Sequence, residues 1–231
     1  MRVAVLVTGG KDSALSLYRV LEHDYEVKYL MSMLPQREDS WMFHFPNIHL
    51  TDLFAEAVGI PLVKAETTGI KETELEDLKK LLATLDIEGV VSGAISSHYQ
   101  KKRIGKICHE LNLSSIAPLW QEDPLKLLKE IVGLNFEVII VGVYAYGFNE
   151  SWLGRKIDSS TVDSLLDLNR EFRISLVGEG GEYETLVLDA PYFRRRIQLL
   201  RVEKNWEDDS GYLLVKEARL VDKPSGLEKV Y

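Results

Sequence analysis

The chain has 231 residues, 45% hydrophobic and 28% charged, with a formal net charge of −8 at pH 7. That length suits one large domain or two unequal ones, and the acidic balance argues against a broad nucleic-acid surface. A single cysteine, Cys108, excludes a disulfide framework and a multi-cysteine metal site, and points to a reducing cytoplasm.

The first element is the apolar run Val3-Ala4-Val5-Leu6-Val7, which reads as a central strand buried on both faces of a parallel sheet. Thr8-Gly9-Gly10-Lys11-Asp12-Ser13 follows it directly. Ala14, Leu17, Tyr18 and Leu21 then recur at helical spacing. A strand therefore runs through a two-glycine turn into a helix whose first amides have no internal partner. Such a junction attracts anions, phosphate above all. The turn is too short for a Walker A loop and has too few glycines for a dinucleotide fingerprint. It resembles the Ser-Gly-Gly-x-Asp-Ser pyrophosphate loop of the N-type ATP pyrophosphatases, with Thr8 keeping the hydroxyl of the first Ser. The plainer alternative is a strand-to-helix turn capped by Asp12 and Ser13.

Downstream, Val27–Met33 reads as a second strand and Pro35–Pro46 as a polar excursion. Leu50–Val58 is helical, Pro61–Val63 a short strand and Thr73–Leu85 a helix with Leu75, Leu78, Leu82 and Leu85 inward. Val90–Val91 opens another strand, followed by a helix from His98 to Leu111 and then Ile116. This alternation predicts a doubly wound α/β parallel sheet with ligands above the carboxyl ends of its strands. Adenine is then expected at the end of the second strand, near Met31 and Met33.

The pattern changes near Leu119–Pro124. A helix over Leu125–Ile131 and a strand over Val138–Tyr144 precede a loop with Gly147 and Gly154. A helix over Val162–Phe172 and a Gly-rich turn come next. Arg194–Val202 and Leu213–Val221 read as an antiparallel pair joined by Asn205–Gly211. These segments predict a smaller α+β domain over residues 121–231, after a nucleotide-binding domain over 1–120. The longest apolar run, Val138–Val143 with Tyr144 and Ala145, is too short to cross a bilayer, and residues 1–8 show no signal-peptide pattern.

Three further segments stand out. They are Met42-Phe43-His44-x-x-Asn47, Gly93-x-Ile95-Ser96-Ser97-x-Tyr99-Gln100-Lys101-x-Arg103 and Gly178-Glu179-Gly180-Gly181-Glu182-Tyr183-Glu184-Thr185. Ser97 and Gln100 alone would make a capping box, and Arg103 with Lys106 a solvated basic face. Glu179, Glu182 and Glu184 crowd three negative charges into six residues, which repel unless a cation sits among them. Together with Thr8–Ser13, these segments resemble the diphthine–ammonia ligase family, in its short archaeal form without extra C-terminal domains.

The resemblance implies a cytoplasmic ATP- and Mg²⁺-dependent ligase that amidates diphthine on translation elongation factor 2 with ammonium, giving AMP and pyrophosphate. No nucleic acid or membrane partner is implied. Thr8, Gly9, Gly10, Lys11, Asp12 and Ser13 would hold ATP, with Met31, Met33 and His44 nearby. Lys11, Asp12 and Ser13 would act in catalysis, and Asp12 would contact Mg²⁺. Ser97, Tyr99, Gln100, Arg103, Glu179, Gly180, Gly181, Glu182, Tyr183 and Glu184 would bind the substrate, Tyr183 as a wall for the trimethylammonium group. Amidation of another carboxylate, tRNA thiolation and a non-catalytic ATP sensor are the alternative readings. The lone helical Cys108 counts against thiolation.

Overall fold

A computed structural model describes residues 1–35, 47–67 and 71–224 of the chain. The opening apolar run forms β1 (Arg2–Leu6), and the glycine turn leads into α1 (Lys11–Leu21). Then come β2 (Glu26–Pro35), α2 (Thr51–Val58), β3 (Leu62–Thr67) and α3 (Lys71–Ala83). β4 (Gly89–Val91), α4 (His98–Glu110) and β5 (Ser114–Ile116) complete the first half. The five strands pair in parallel in the order β3-β2-β1-β4-β5, the doubly wound order that the sequence alternation predicts. This order puts the turn after β1 at the point where the winding reverses.

After α5 (Pro124–Gly133) the chain enters β6 (Glu137–Val143), α6 (Ser159–Phe172), β7 (Tyr183–Asp189), β8 (Arg195–Glu207) and β9 (Ser210–Asp222). These four strands form a separate antiparallel sheet in the order β7-β6-β9-β8. Two features differ from the expectation. β7 occupies what reads as the end of a loop. β8 and β9 run 13 residues each and consume most of the expected Asn205–Gly211 connection, turning instead at Asp208 (φ +51°) and Asp209.

The two sheets share a core. Val3, Val5 and Leu17 from the first half belong to the same buried cluster as Val138, Ile140, Leu186 and Val187 from the second. Ala4 points the other way, into a second cluster with Leu78, Leu82, Ile104 and Ile107 from α3 and α4. This alternation follows the period of two along a strand. Polar ties reinforce the junction. Arg19 on α1 reaches Glu130 (2.6 Å) and Glu122 (3.3 Å), and the Tyr192 hydroxyl donates to the Ala14 carbonyl (2.9 Å). Burial pushes the Cys108 thiol up to about 11, which makes it an inert core residue.

Met31 and Met33, expected near the adenine, turn their side chains into the core. Both side chains are buried in the cluster under α3 and α4, and the Met31 carbonyl accepts the Val7 amide (2.8 Å). β2 also continues to Pro35, so its carboxyl end lies beyond both methionines. Among the described residues, no helix is long and apolar enough to cross a membrane.

Candidate active site

The turn after β1 is held by its own hydroxyls. The Gly10 amide donates to Thr8 Oγ1 (3.3 Å), and the Thr8 amide donates to Ser13 Oγ (3.4 Å). The Ser13 hydroxyl in turn donates to the Gly10 carbonyl (3.0 Å). Gly9 sits at φ +85°, where a side chain would be strained. α1 begins with Gly10 as its N-cap and has no side-chain cap, so Asp12 and Ser13 do not close the helix end. Among the described residues, the amides of Gly9, Asp12 and Ser13 have no acceptor. Gly93 passes close above them, where a Cβ would stand 2.9 Å from the Ser13 nitrogen. A glycine there keeps that amide uncovered. The arrangement is an anion site made of backbone.

Lys11 is a buried post, 2% exposed. Its ammonium lies 3.0 Å from Asp12 Oδ2, donates to the Val177 carbonyl and stands 5.1 Å over the Tyr183 ring. Its amide donates to Thr185 Oγ1 (3.1 Å), and the Val187 amide donates to the Gly9 carbonyl (2.9 Å). The edge of the second sheet thereby completes the phosphate loop of the first. Burial opposes the Lys11 charge, but Asp12, Tyr183 and Glu184 outweigh it and raise its pKa. Burial raises the Asp12 pKa, against the pull of Lys11.

The three clustered glutamates separate. Glu179 accepts the amides of Ile95 (2.9 Å), Ser96 (2.7 Å) and Ser97 (2.8 Å), and the Ser96 hydroxyl. Burial works against its charge, yet these donors win and lower its pKa. Glu182 accepts the amides of Ser175 (2.9 Å) and Gly180 (2.8 Å), and Gly181 donates to the Gly178 carbonyl (3.0 Å). These carboxylates order loops, so the expectation that all three await a cation is corrected. Glu184 remains. Burial, opposed by Lys11 and aided by Asp12, pushes its carboxyl up to about 7. Tyr183 is also corrected. It is 1% exposed, its hydroxyl donates to the Leu176 carbonyl (2.6 Å), and its ring faces Lys11 rather than an open site.

On α4, Ser97 is the N-cap and its hydroxyl accepts the Gln100 amide (3.3 Å). The reciprocal half of the capping box is replaced, because the Ser97 amide goes to Glu179. Arg103 stacks 4.2 Å over the Tyr99 ring. Met42, Phe43 and His44 lie outside the described residues. Asn47 is buried and bonds β9 twice, donating to the Leu213 carbonyl (2.9 Å) and accepting the Val215 amide (2.8 Å). Thr185 and Val177, which hold Lys11, were not among the expected site residues. Their part follows from the packing of β7 and the turn before it against the start of α1, which spacing along the chain does not reveal.

Glu184 gives a pH dependence with a definite sign. Its folded pKa, about 7, exceeds the ordinary value of 4.5. The native state therefore keeps a proton that the unfolded chain has lost. The contribution is complete below pH 4.5 and is lost as pH rises to about 7. Glu179 acts oppositely, stabilising above its unfolded value and losing that as pH falls through its lowered folded one. Between pH 4.5 and 7 the ligand-free Tm is expected to fall less in Glu184→Gln than in the parent. Differential scanning fluorimetry across that range checks it, and parallel profiles would contradict the assignment.

A doubly wound sheet with open helix amides after its first strand, met by the edge of a second sheet bearing an acidic loop, is an α/β architecture with an anion-type turn and carboxylates side by side. Diphthamide synthase N-terminal and C-terminal domain profiles match residues 1–115 and 123–221. Diphthine–ammonia ligases of Rattus norvegicus and Bos taurus are each 36% identical over 220 residues, covering 85% of this chain and 82% of theirs. The Schizosaccharomyces pombe diphthine–ammonia ligase is 36% identical over 97% of this chain and 40% of its own. The chain belongs to the diphthamide synthase family. Short length is not an archaeal mark within it, since the rat and cow proteins are matched over most of their length.

Proposed function

We propose that the protein is an ATP-dependent diphthine–ammonia ligase acting on elongation factor 2, with Gly9–Ser13 holding the phosphates and the β7 region the second substrate. One observation carries this reading. Thr185, Val177 and Tyr183 all meet Lys11, so the phosphate turn and the acidic loop are one site.

A carboxylate does not react usefully with ammonia because oxide is a poor leaving group. The diphthine carboxylate oxygen attacks the α-phosphorus of ATP, the bond to the β-phosphate oxygen breaks, and pyrophosphate leaves. Ammonia, formed when ammonium gives up a proton, attacks the acyl carbon; the carbon–oxygen bond to AMP breaks and the nitrogen loses a second proton. The amides of Gly9, Asp12 and Ser13 are preorganised for the departing charge, and the Lys11 ammonium supports it from below. Asp12, with 31% of its side chain exposed beside open amides, has the oxygen chemistry for one Mg²⁺ contact. Bound with the triphosphate, Mg²⁺ would supply charge neutralisation there. The reading places the protein in the cytoplasm with its elongation-factor substrate.

Pyrophosphate release is the test. It is expected to require ATP and diphthine-bearing elongation factor, with ammonium needed for AMP to leave and for release to continue past the first turnover. Release with another carboxylic acid but not this one would make the protein an amide ligase of different substrate, and ATP binding without release would make it a sensor.

A further inference from the structure

The site as described lacks a recognition element that the substrate chemistry demands. Diphthine carries its trimethylammonium group on the same carbon as the carboxylate to be amidated. The cation must therefore sit beside the reacting centre. Tyr183 cannot receive it, being buried against Lys11.

Two other tyrosines stand beside Glu184 on the second sheet. In the second sheet Gly142 of β6 stands directly opposite Glu184 of β7 on one side and Tyr212 of β9 on the other. Directly opposed residues project from the same face, so Glu184 and Tyr212 flank a position without a side chain. Two strand spacings separate them by roughly 9–10 Å at the backbone. Tyr144 folds back over Gly142, where a Cβ would come within 2.7 Å of its hydroxyl oxygen. Its backbone is pinned there, since its amide donates to the Glu182 carbonyl (2.9 Å). Both tyrosines remain accessible, Tyr144 at 40% and Tyr212 at 36%. Tyr144 thus floors the row, with the Tyr212 ring on one side and the Glu184 carboxylate on the other. Burial, Glu184 and Tyr212 together push the Tyr144 phenol up to about 12, so it stays neutral.

The row adjoins the phosphate turn because the turn lies along the free edge of β7, where the Val187 amide donates to the Gly9 carbonyl (2.9 Å). Glu184 sits two residues before Leu186, the neighbour of Thr185 on that strand, and its carboxyl feels both Lys11 and Asp12. Aromatic faces attract quaternary ammonium groups through the ring quadrupole, and a carboxylate adds charge without needing an N–H donor. We infer that Tyr144, Tyr212 and Glu184 form the cage for the trimethylammonium group of diphthine and make the enzyme selective for the fully methylated side chain. This inference rests on the proposed diphthine reading and names the residues of its second-substrate site.

The experiment compares elongation factor bearing diphthine with elongation factor whose precursor side chain lacks the N-methyl groups. The parent protein is expected to prefer the methylated form in kcat/KM. Tyr144→Leu and Tyr212→Leu are expected to lose roughly tenfold of that preference, through KM for the elongation factor rather than for ATP. Tyr144→Phe keeps the ring and is expected to restore it. A second measurement titrates tetramethylammonium against the protein itself, where either leucine variant is expected to bind it roughly tenfold more weakly. That titration decides the matter even if no diphthine-dependent turnover occurs, so failure of the cage and failure of the diphthine reading are distinguishable. Unchanged preference together with unchanged tetramethylammonium binding in both leucine variants overturns the cage. So does an effect confined to KM for ammonium, which would make the row an ammonium site.

Discussion

Lys11→Met is expected to lower AMP-forming turnover by about 10²–10³-fold, the scale for removing one preorganised charge-stabilising donor. The ammonium is fixed by Asp12 and the Val177 carbonyl and sits over Tyr183, so it needs no reorganisation when charge moves onto pyrophosphate. Its raised pKa keeps it charged across the working pH range. Burial means that the substitution also touches stability. Methionine fills the space of the aliphatic stem but leaves the Val177 carbonyl without this donor, at a cost of about 1–3 kcal/mol. The measurement is pyrophosphate release alongside Tm, so that lost chemistry is read against the folded fraction. Turnover near the parent level in a folded Lys11→Met protein would remove the turn from the reaction.

Glu179→Gln should have the second large effect, on architecture as much as on rate. Three amides and a hydroxyl from the β4–α4 connection converge on this carboxylate. An amide group turns one acceptor into a donor facing donors. Charge-assisted hydrogen bonds contribute roughly 1.5–3 kcal/mol each, so a loss of about 2 kcal/mol is a conservative expectation. For a chain of this size that corresponds to a Tm lower by roughly 4–8 °C. Pyrophosphate release should fall about tenfold, because Gly93, at the start of the connection that Glu179 ties down, lies close against the backbone of Asp12 and Ser13. Circular dichroism melts and initial rates read both effects. An unchanged Tm together with unchanged turnover would show that the clamp is idle.

The phosphate turn was legible because its signals are local. A β-branched run, two glycines and a helical stripe each carry their meaning within a few residues. The glutamate loop misled for a physical reason. Proximity in sequence suggested one acidic cluster, but a strand begins at Tyr183 and sends neighbouring side chains to opposite faces. Glu184 thus parts from Tyr183 and Thr185, while Glu179 and Glu182 turn to amides along the chain. β7 was hidden because its polar start follows glycines, and the far reaches of β8 and β9 because both faces there meet solvent, as Glu203 and Lys204 show. Met31 and Met33 were ambiguous in another way. A strand covered on both faces offers no apolar alternation to say which side chains meet a ligand. Tyr144 and Tyr212 had no local signal, since only the pairing of β6 with β9 brings them together.

The bond from the Lys11 amide to Thr185 spans 174 positions, and this distance has a meaning in time. At about 5–20 residues per second, a ribosome needs roughly 10–35 s to travel between those two codons. Throughout that interval the emerging chain displays a phosphate turn without the strand that steadies it. Nucleotide capture should therefore arrive late and abruptly, as one event near the end of translation. A nascent chain stalled before residue 183 should leave ATP unspent, however well its first sheet has formed.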